Sequence, residues 1–138
     1  MEHTASIRWK GDELAFEGSA AGGRVELASD SRSAAGPSPM ALVLIALGAC
    51  SGMDVVSILL KMRQPLEELW VEAAGDTREE YPQVFTAIRL VYHLRGELDE
   101  RRVRRAIELS ETKYCPVGAM LKVGTPILSD FVIERGRP

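Results

Sequence analysis

The chain has little of what most readily betrays a function. It carries only two cysteines in 138 residues, far too few to staple a small secreted scaffold. Cys50 and Cys115 stand 65 residues apart, so neither a thioredoxin-like CxxC site nor a zinc knuckle is indicated. Histidine is as scarce: His3 and His93 have no companion ligands at metal spacing, and no metal is expected. The one glycine-rich stretch, "AAGG", lacks the lysine and the strand-to-helix context of a phosphate loop, so no cofactor is expected. A net charge of −3 provides no basic field to attract phosphates, which argues against nucleic acid as a partner. Only one apolar run is long, Met40 to Met53. It falls short of the roughly 20 residues of a membrane span and ends at Asp54, so a core helix is expected and no membrane partner. The first residues, "MEHTASIRWKGDELAFEG", are polar and alternating, unlike a signal peptide, which makes the cytoplasm the expected location. There is no internal repeat and no low-complexity segment.

What is present is an ordinary soluble composition, 46% hydrophobic and 27% charged, long enough to bury a core as one domain over residues 1–138. "TASIRW" and "ELAFEG" alternate apolar and polar about a "KGD" turn and predict a hairpin; "RVELA" predicts a third strand. A loop rich in Ser, Gly and Pro follows over 29–39. Ser38 as N-cap and Pro39 at the first helical position then predict a long helix to about Met62 or Arg63, enclosed by other structure. "ELWVEAAGDT" and "FTAIRLVYHLRG" predict two long strands joined by "REEYPQV". A second helix from about Asp99 would bury Val103, Ala106, Ile107, Ser110 and Tyr114 on one face. Cys115-Pro116 interrupts it, "VGAML" predicts a short helix, and "PILSDFVIE" a last strand. The order βββ-α-ββ-α-β indicates the α+β class.

Cys50 lies within the apolar helix, where a free cysteine is most often a small buried hydrophobe, inert unless a cation is near. Cys115, directly before Pro116, is placed to N-cap the short helix. The free N–H groups of Val117 and Gly118 would then stabilise a thiolate, which makes Cys115 the more reactive thiol on local grounds. "RRVRR" at Arg101–Arg105 resembles a nucleic-acid patch in isolation, but Arg104 and Glu108 are i,i+4 partners, as on a solvated helix face.

"GPSPMALVLIALGACSGMDVVSILLK" (Gly36–Lys61) together with "KYCPVGAML" (Lys113–Leu121) resembles the OsmC/Ohr family of osmotically inducible and organic-hydroperoxide-resistance proteins. "EEYPQVFTAI" is similar to its YhfA-like subgroup. The resemblance implies an intertwined homodimer with curved antiparallel sheets wrapped around central helices. It implies two nearby cysteines, Cys50 attacking an organic hydroperoxide and Cys115 resolving the sulfenic acid, with a thiol reductant to complete the cycle. The family's peroxidases also carry an acid in the first turn of the long helix, which orients an arginine from the N-terminal hairpin. Here that turn reads Met40-Ala41-Leu42, and the nearest match to the arginine is Lys10, with Arg24 and Arg32 as other candidates. Glu79 and Glu80 could supply an acid from elsewhere, although a solvated loop explains them. Asp54, one helical turn after Cys50, would handle a proton or bind an arginine, or else pair with a cation at the dimer interface; a bare carboxylate beside Cys50 would suppress its thiolate, which favours the second role. The expected function is thus a two-cysteine thiol peroxidase acting on organic hydroperoxides. The alternative is a redox-sensing or small-apolar-ligand-binding protein without turnover.

Overall fold

A computed structural model describes residues 1–28 and 36–135, which fall into two compact units, Met1–Val43 and Leu44–Pro138. The first holds an antiparallel meander of β1 (Ser6–Trp9), β2 (Phe16–Ala20) and β3 (Gly23–Leu27). The first connection is longer than the expected "KGD" turn. Glu13 adopts φ 45°, and the loop is closed by Lys10 N–H to Ala15 O at 2.9 Å, so β2 starts only at Phe16. "SAAGG" does not break the chain but folds it back: Ala21 and Gly22, both at positive φ, form the two-residue turn between β2 and β3.

α1 (Pro39–Lys61) starts as expected, with Ala41 N–H donating to Ser38 Oγ at 3.1 Å and Pro39 first in the helix. It is not enclosed, however: Leu47, Ser51, Val55 and Leu59 are buried, while Ile45, Met53 and Leu60 are exposed. It ends at Lys61, close to the expected Met62 or Arg63, and its 23 residues pass for a membrane span by length and composition. Against that reading, Ser51 and Asp54 in its middle are tied to protein hydroxyls, partners that lipid does not supply.

The second unit is built on β4 (Glu68–Thr77), β5 (Phe85–Arg95) and β6 (Ile127–Glu134), in the order β4-β5-β6. Alternation along β5 buries Ile88, Leu90, Tyr92 and Leu94 on one face. On that side Gly48 and Gly52 of α1 sit against Val71 and Leu69 of β4; a Cβ at either would already be in van der Waals contact. The fold class is the expected α+β, but the sheets are not wholly antiparallel. β5 and β6 pair in parallel, because the segment between them carries two helices and makes the long crossover that a parallel pair requires.

α2 (Glu100–Leu109) is capped by Asp99, whose carboxylate accepts from Arg101 N–H at 2.9 Å, and it buries Val103, Ala106 and Ile107. Its arginines form the expected solvated face, but Glu108 pairs with Arg105 rather than Arg104, which turns back to Glu100, and Arg102 pairs with Asp99. The helix then widens into a π-helical turn, Ser110–Tyr114. The wider turn shifts the register, so Ser110 is buried but Tyr114, predicted on the same face, turns outward and is half exposed. α3 (Pro116–Leu121) follows.

One glycine is fixed by its surroundings. Gly96, at φ +143°, would place a Cβ 2.4 Å from the Pro65 carbonyl oxygen. Gly96→Ala is therefore expected to cost roughly 3 kcal/mol, read as a lower urea midpoint at unchanged slope.

Candidate functional site

The sequence of α1 puts Leu47, Cys50, Ser51 and Asp54 within two turns of one side of the helix. The π-helical turn brings the second set of groups to the same place. Its last bond, Cys115 N–H to Ser110 O at 2.8 Å, holds Cys115 in an extended conformation at the start of α3, with Pro116 in the first helical position. Gly118 completes the fit: a Cβ there would lie 3.4 Å from Cys115 Sγ and 3.5 Å from Leu47 Cδ1, so the start of α3 rests directly against α1.

Cys115 caps α3 as predicted, its Sγ accepting from Gly118 N–H at 3.3 Å. The predicted consequence is reversed. Burial pushes the thiol above its ordinary 9.0, to about 11; the Gly118 N–H opposes this, while hydrogen bonding to Cys50 and the charges of Cys50 and Asp54 add to it. Desolvation outweighs one backbone N–H, and a six-residue helix supplies little more. Cys50 is half-buried on α1 and acts directly on the Cys115 thiol.

A cavity of about 180 Å³ opens at Cys115, walled by Leu47, Leu90 and Ile127 and edged by Tyr92, Glu111 and Lys122. Lys122 is spent on the Glu111 carbonyl oxygen, at 3.1 Å, and Glu111 Oε1 is buried with no hydrogen-bond partner among the described residues.

Behind the cavity runs a hydroxyl network that the sequence reading missed. Tyr92 Oη lies 2.5 Å from Ser51 Oγ, which lies 2.9 Å from Ser110 Oγ; Ser110 in turn donates to Asp54 Oδ2 at 2.9 Å. Burial raises the Tyr92 phenol to about 12 despite its bond to Ser51. The only clue in the sequence was the presence of polar residues on faces predicted to be buried. Within the chain Asp54 accepts from the Ser110 hydroxyl.

Other candidates lie elsewhere. Lys10 pairs with Glu26 at 2.6 Å, Arg24 is exposed on β3, and Arg32 lies outside the described residues. The first turn of α1 holds no acid. Glu79 and Glu80 are exposed. His3 is exposed; His93 stacks on Trp70 and pairs with Glu72, and no metal-binding cluster exists among the described residues.

Two groups held neutral by burial predict a pH dependence. The unfolded chain loses the Cys115 and Tyr92 protons at lower pH than the folded chain does. Stability is therefore full below about pH 8 and expected to fall as pH rises toward the folded values of about 11 and about 12. Urea midpoints measured across this range check it; a Cys115→Ala, Tyr92→Phe variant should lose most of the slope.

The comparisons with known proteins agree with this architecture. Residues 30–129 match the OsmC-like protein family. Protein YhfA of Escherichia coli K12 is 38% identical over 130 residues, 94% of this chain and 96% of the relative. A hypothetical protein from Aquifex aeolicus has a TM-score of 0.90 at 28% identity, covering 99% of each chain. An organic hydroperoxide resistance protein OsmC of Legionella pneumophila, described as a predicted redox protein, has a TM-score of 0.72 at 13% identity, over 95% of this chain and 96% of its own. At that identity the likeness is one of fold. On the family match and the near full-length relative, the chain belongs to the OsmC-like protein family.

Proposed function

We propose that the chain is a thiol-dependent redox protein that reduces organic hydroperoxides, with Cys50 as the attacking and Cys115 as the resolving sulfur. The observation that carries the reading is the buried Cys115 thiol beside an apolar-walled cavity, near enough to Cys50 for Cys50 to raise its pKa. The words "organic hydroperoxide resistance" in the name of the Legionella protein support it by analogy of fold. The Cys50 thiolate attacks the peroxide oxygen, leaving a sulfenic acid and an alcohol. Cys115 sulfur then attacks the Cys50 sulfur and expels water, and a dithiol reductant restores both thiols. The working unit is a cytoplasmic homodimer.

A non-catalytic reading, sensing or binding a small apolar ligand, is favoured by one observation: α1 has no acid in its first turn. Turnover separates the two. With excess dithiol, cumene hydroperoxide is expected to be consumed catalytically and faster than hydrogen peroxide. Stoichiometric oxidation that stops after one equivalent would establish the sensor, and no oxidation at all would establish the binding protein.

A further inference from the structure

The hydroxyl network has a direction. A carboxylate only accepts hydrogen bonds, so Ser110 donates to Asp54, Ser51 then donates to Ser110, and Tyr92 donates to Ser51. Its two ends open on different spaces. Tyr92 and Ser51 line the cavity of Cys115, whereas Asp54 lines a surface cleft of about 350 Å³ with Ser57, Lys61 and Tyr114. The two middle hydroxyls are fully buried. An unbroken chain of hydroxyls thus runs from a solvent cleft to a thiol cavity.

We propose that Asp54, Ser110, Ser51 and Tyr92 form a proton path that delivers a proton from the Asp54 cleft to the sulfur of Cys115 when the disulfide is reduced. The inference rests on the thiol-pair reading above. Cys50 is half-buried and Cys115 almost wholly buried, so an incoming dithiol reaches Cys50. Its thiolate forms a bond to Cys50 sulfur, and the bond to Cys115 breaks. Cys115 departs with the electron pair, leaving a mixed disulfide on Cys50; the second sulfur of the dithiol then displaces Cys50, so the protein disulfide is reduced and the dithiol oxidised. A thiol held at about 11 is a poor leaving group, with no cation among the principal influences on it. Protonation on departure removes that barrier. With Asp54 ionised the three hydroxyls donate toward it. Once Asp54 takes a proton from solvent it donates to Ser110, the hydroxyls turn to donate the other way, and Ser110 passes its proton to Ser51, Ser51 to Tyr92, and Tyr92 to the sulfur across the cavity, directly or through one water. Each hydroxyl gains one proton and loses one. These are positioning and relay groups; Tyr92 and Ser51 share the cavity of the reacting sulfur.

Three other sources of protons or charge face Cys115: Glu111 and Lys122 at the cavity edge, Lys122 held by the Glu111 carbonyl oxygen, and Asp54 itself, through space. Asp54→Asn separates the relay from electrostatics by sign. Removing the carboxylate lowers the Cys115 pKa and speeds departure if charge alone acts, but slows it if the path acts. The disulfide is formed with diamide in the full-length protein, and its reduction by excess dithiothreitol is timed in H₂O and D₂O. Asp54→Asn and Ser110→Ala are expected to slow reduction on the order of 100-fold and to lose most of the solvent isotope effect, with Glu111→Gln close to wild type. Unchanged rates and isotope effects in both relay variants, faster reduction in Asp54→Asn, or a loss confined to Glu111→Gln would overturn the path while leaving the thiol pair standing. If Ser110→Ala does not fold, Asp54→Asn decides. Failure of the wild type to form a Cys50–Cys115 disulfide would instead sink the thiol-pair reading, and the path with it.

Discussion

Cumene hydroperoxide is expected to leave a trappable sulfenic acid on Cys50 in the Cys115→Ser variant, while Cys115 in the Cys50→Ser variant reacts up to ~100-fold more slowly than an ordinary thiol. The nucleophile is the thiolate. Cys115 is pushed from 9.0 to about 11, and the largest cause, burial, survives removal of Cys50. Two pH units correspond to about a hundredfold less thiolate near neutrality. The cap to Gly118 does not reverse this, as that N–H already contributes in the folded protein. The same property suits Cys115 to the second step in the proposed cycle: a shielded thiol does not compete for peroxide, and Cys50 is near enough to perturb it. A sulfenic-acid reagent read by mass spectrometry distinguishes the sites. Label on Cys115 in Cys50→Ser, with none on Cys50 in Cys115→Ser, would exchange the two roles.

How much of this was legible in the sequence follows from the range of each interaction. Local chemistry was: Ser38 and Pro39 starting α1, the alternation of β4 and β5, Asp99 opening α2, and Cys115 capping α3 all depend on neighbours a few residues away. Features set by tertiary packing were not. The parallel pairing of β5 with β6 depends on where a crossover returns. The outward turn of Tyr114 comes from one extra residue in a π-helical turn, which no periodicity announces. The network of Ser51, Tyr92, Ser110 and Asp54 joins groups 41 and 59 residues apart along the chain. Cys115 shows both sides: its cap was readable because it is local, and its raised pKa was not, because desolvation is a property of the surrounding core.

Substituting glutamate for Met53 is expected to convert a homodimer to monomers, raising the dissociation constant by ~100-fold or more. Ile45, Met53 and Leu60 are 55%, 71% and 57% exposed and recur at intervals of eight and seven residues, with Ala49 between the first two. On a helix of 3.6 residues per turn these positions form one stripe, on the side away from buried Leu47, Ser51 and Val55. The most apolar stretch of this helix is only a third buried and leaves apolar surface open to be covered. In the proposed homodimer a second copy would cover it by symmetry, since in a two-fold pair the stripe meets itself and every side chain counts twice. Burying one methionine contributes about 1.5–3 kcal/mol, and a glutamate in its place adds the cost of an unpaired buried charge, again twice. Sedimentation at micromolar concentration should give twice the chain mass for the wild type and one chain mass for Met53→Glu. Arg101→Glu, on the solvated face of α2, should leave the dimer intact. A wild-type monomer, or a Met53→Glu dimer of undiminished affinity, would remove the stripe as the interface.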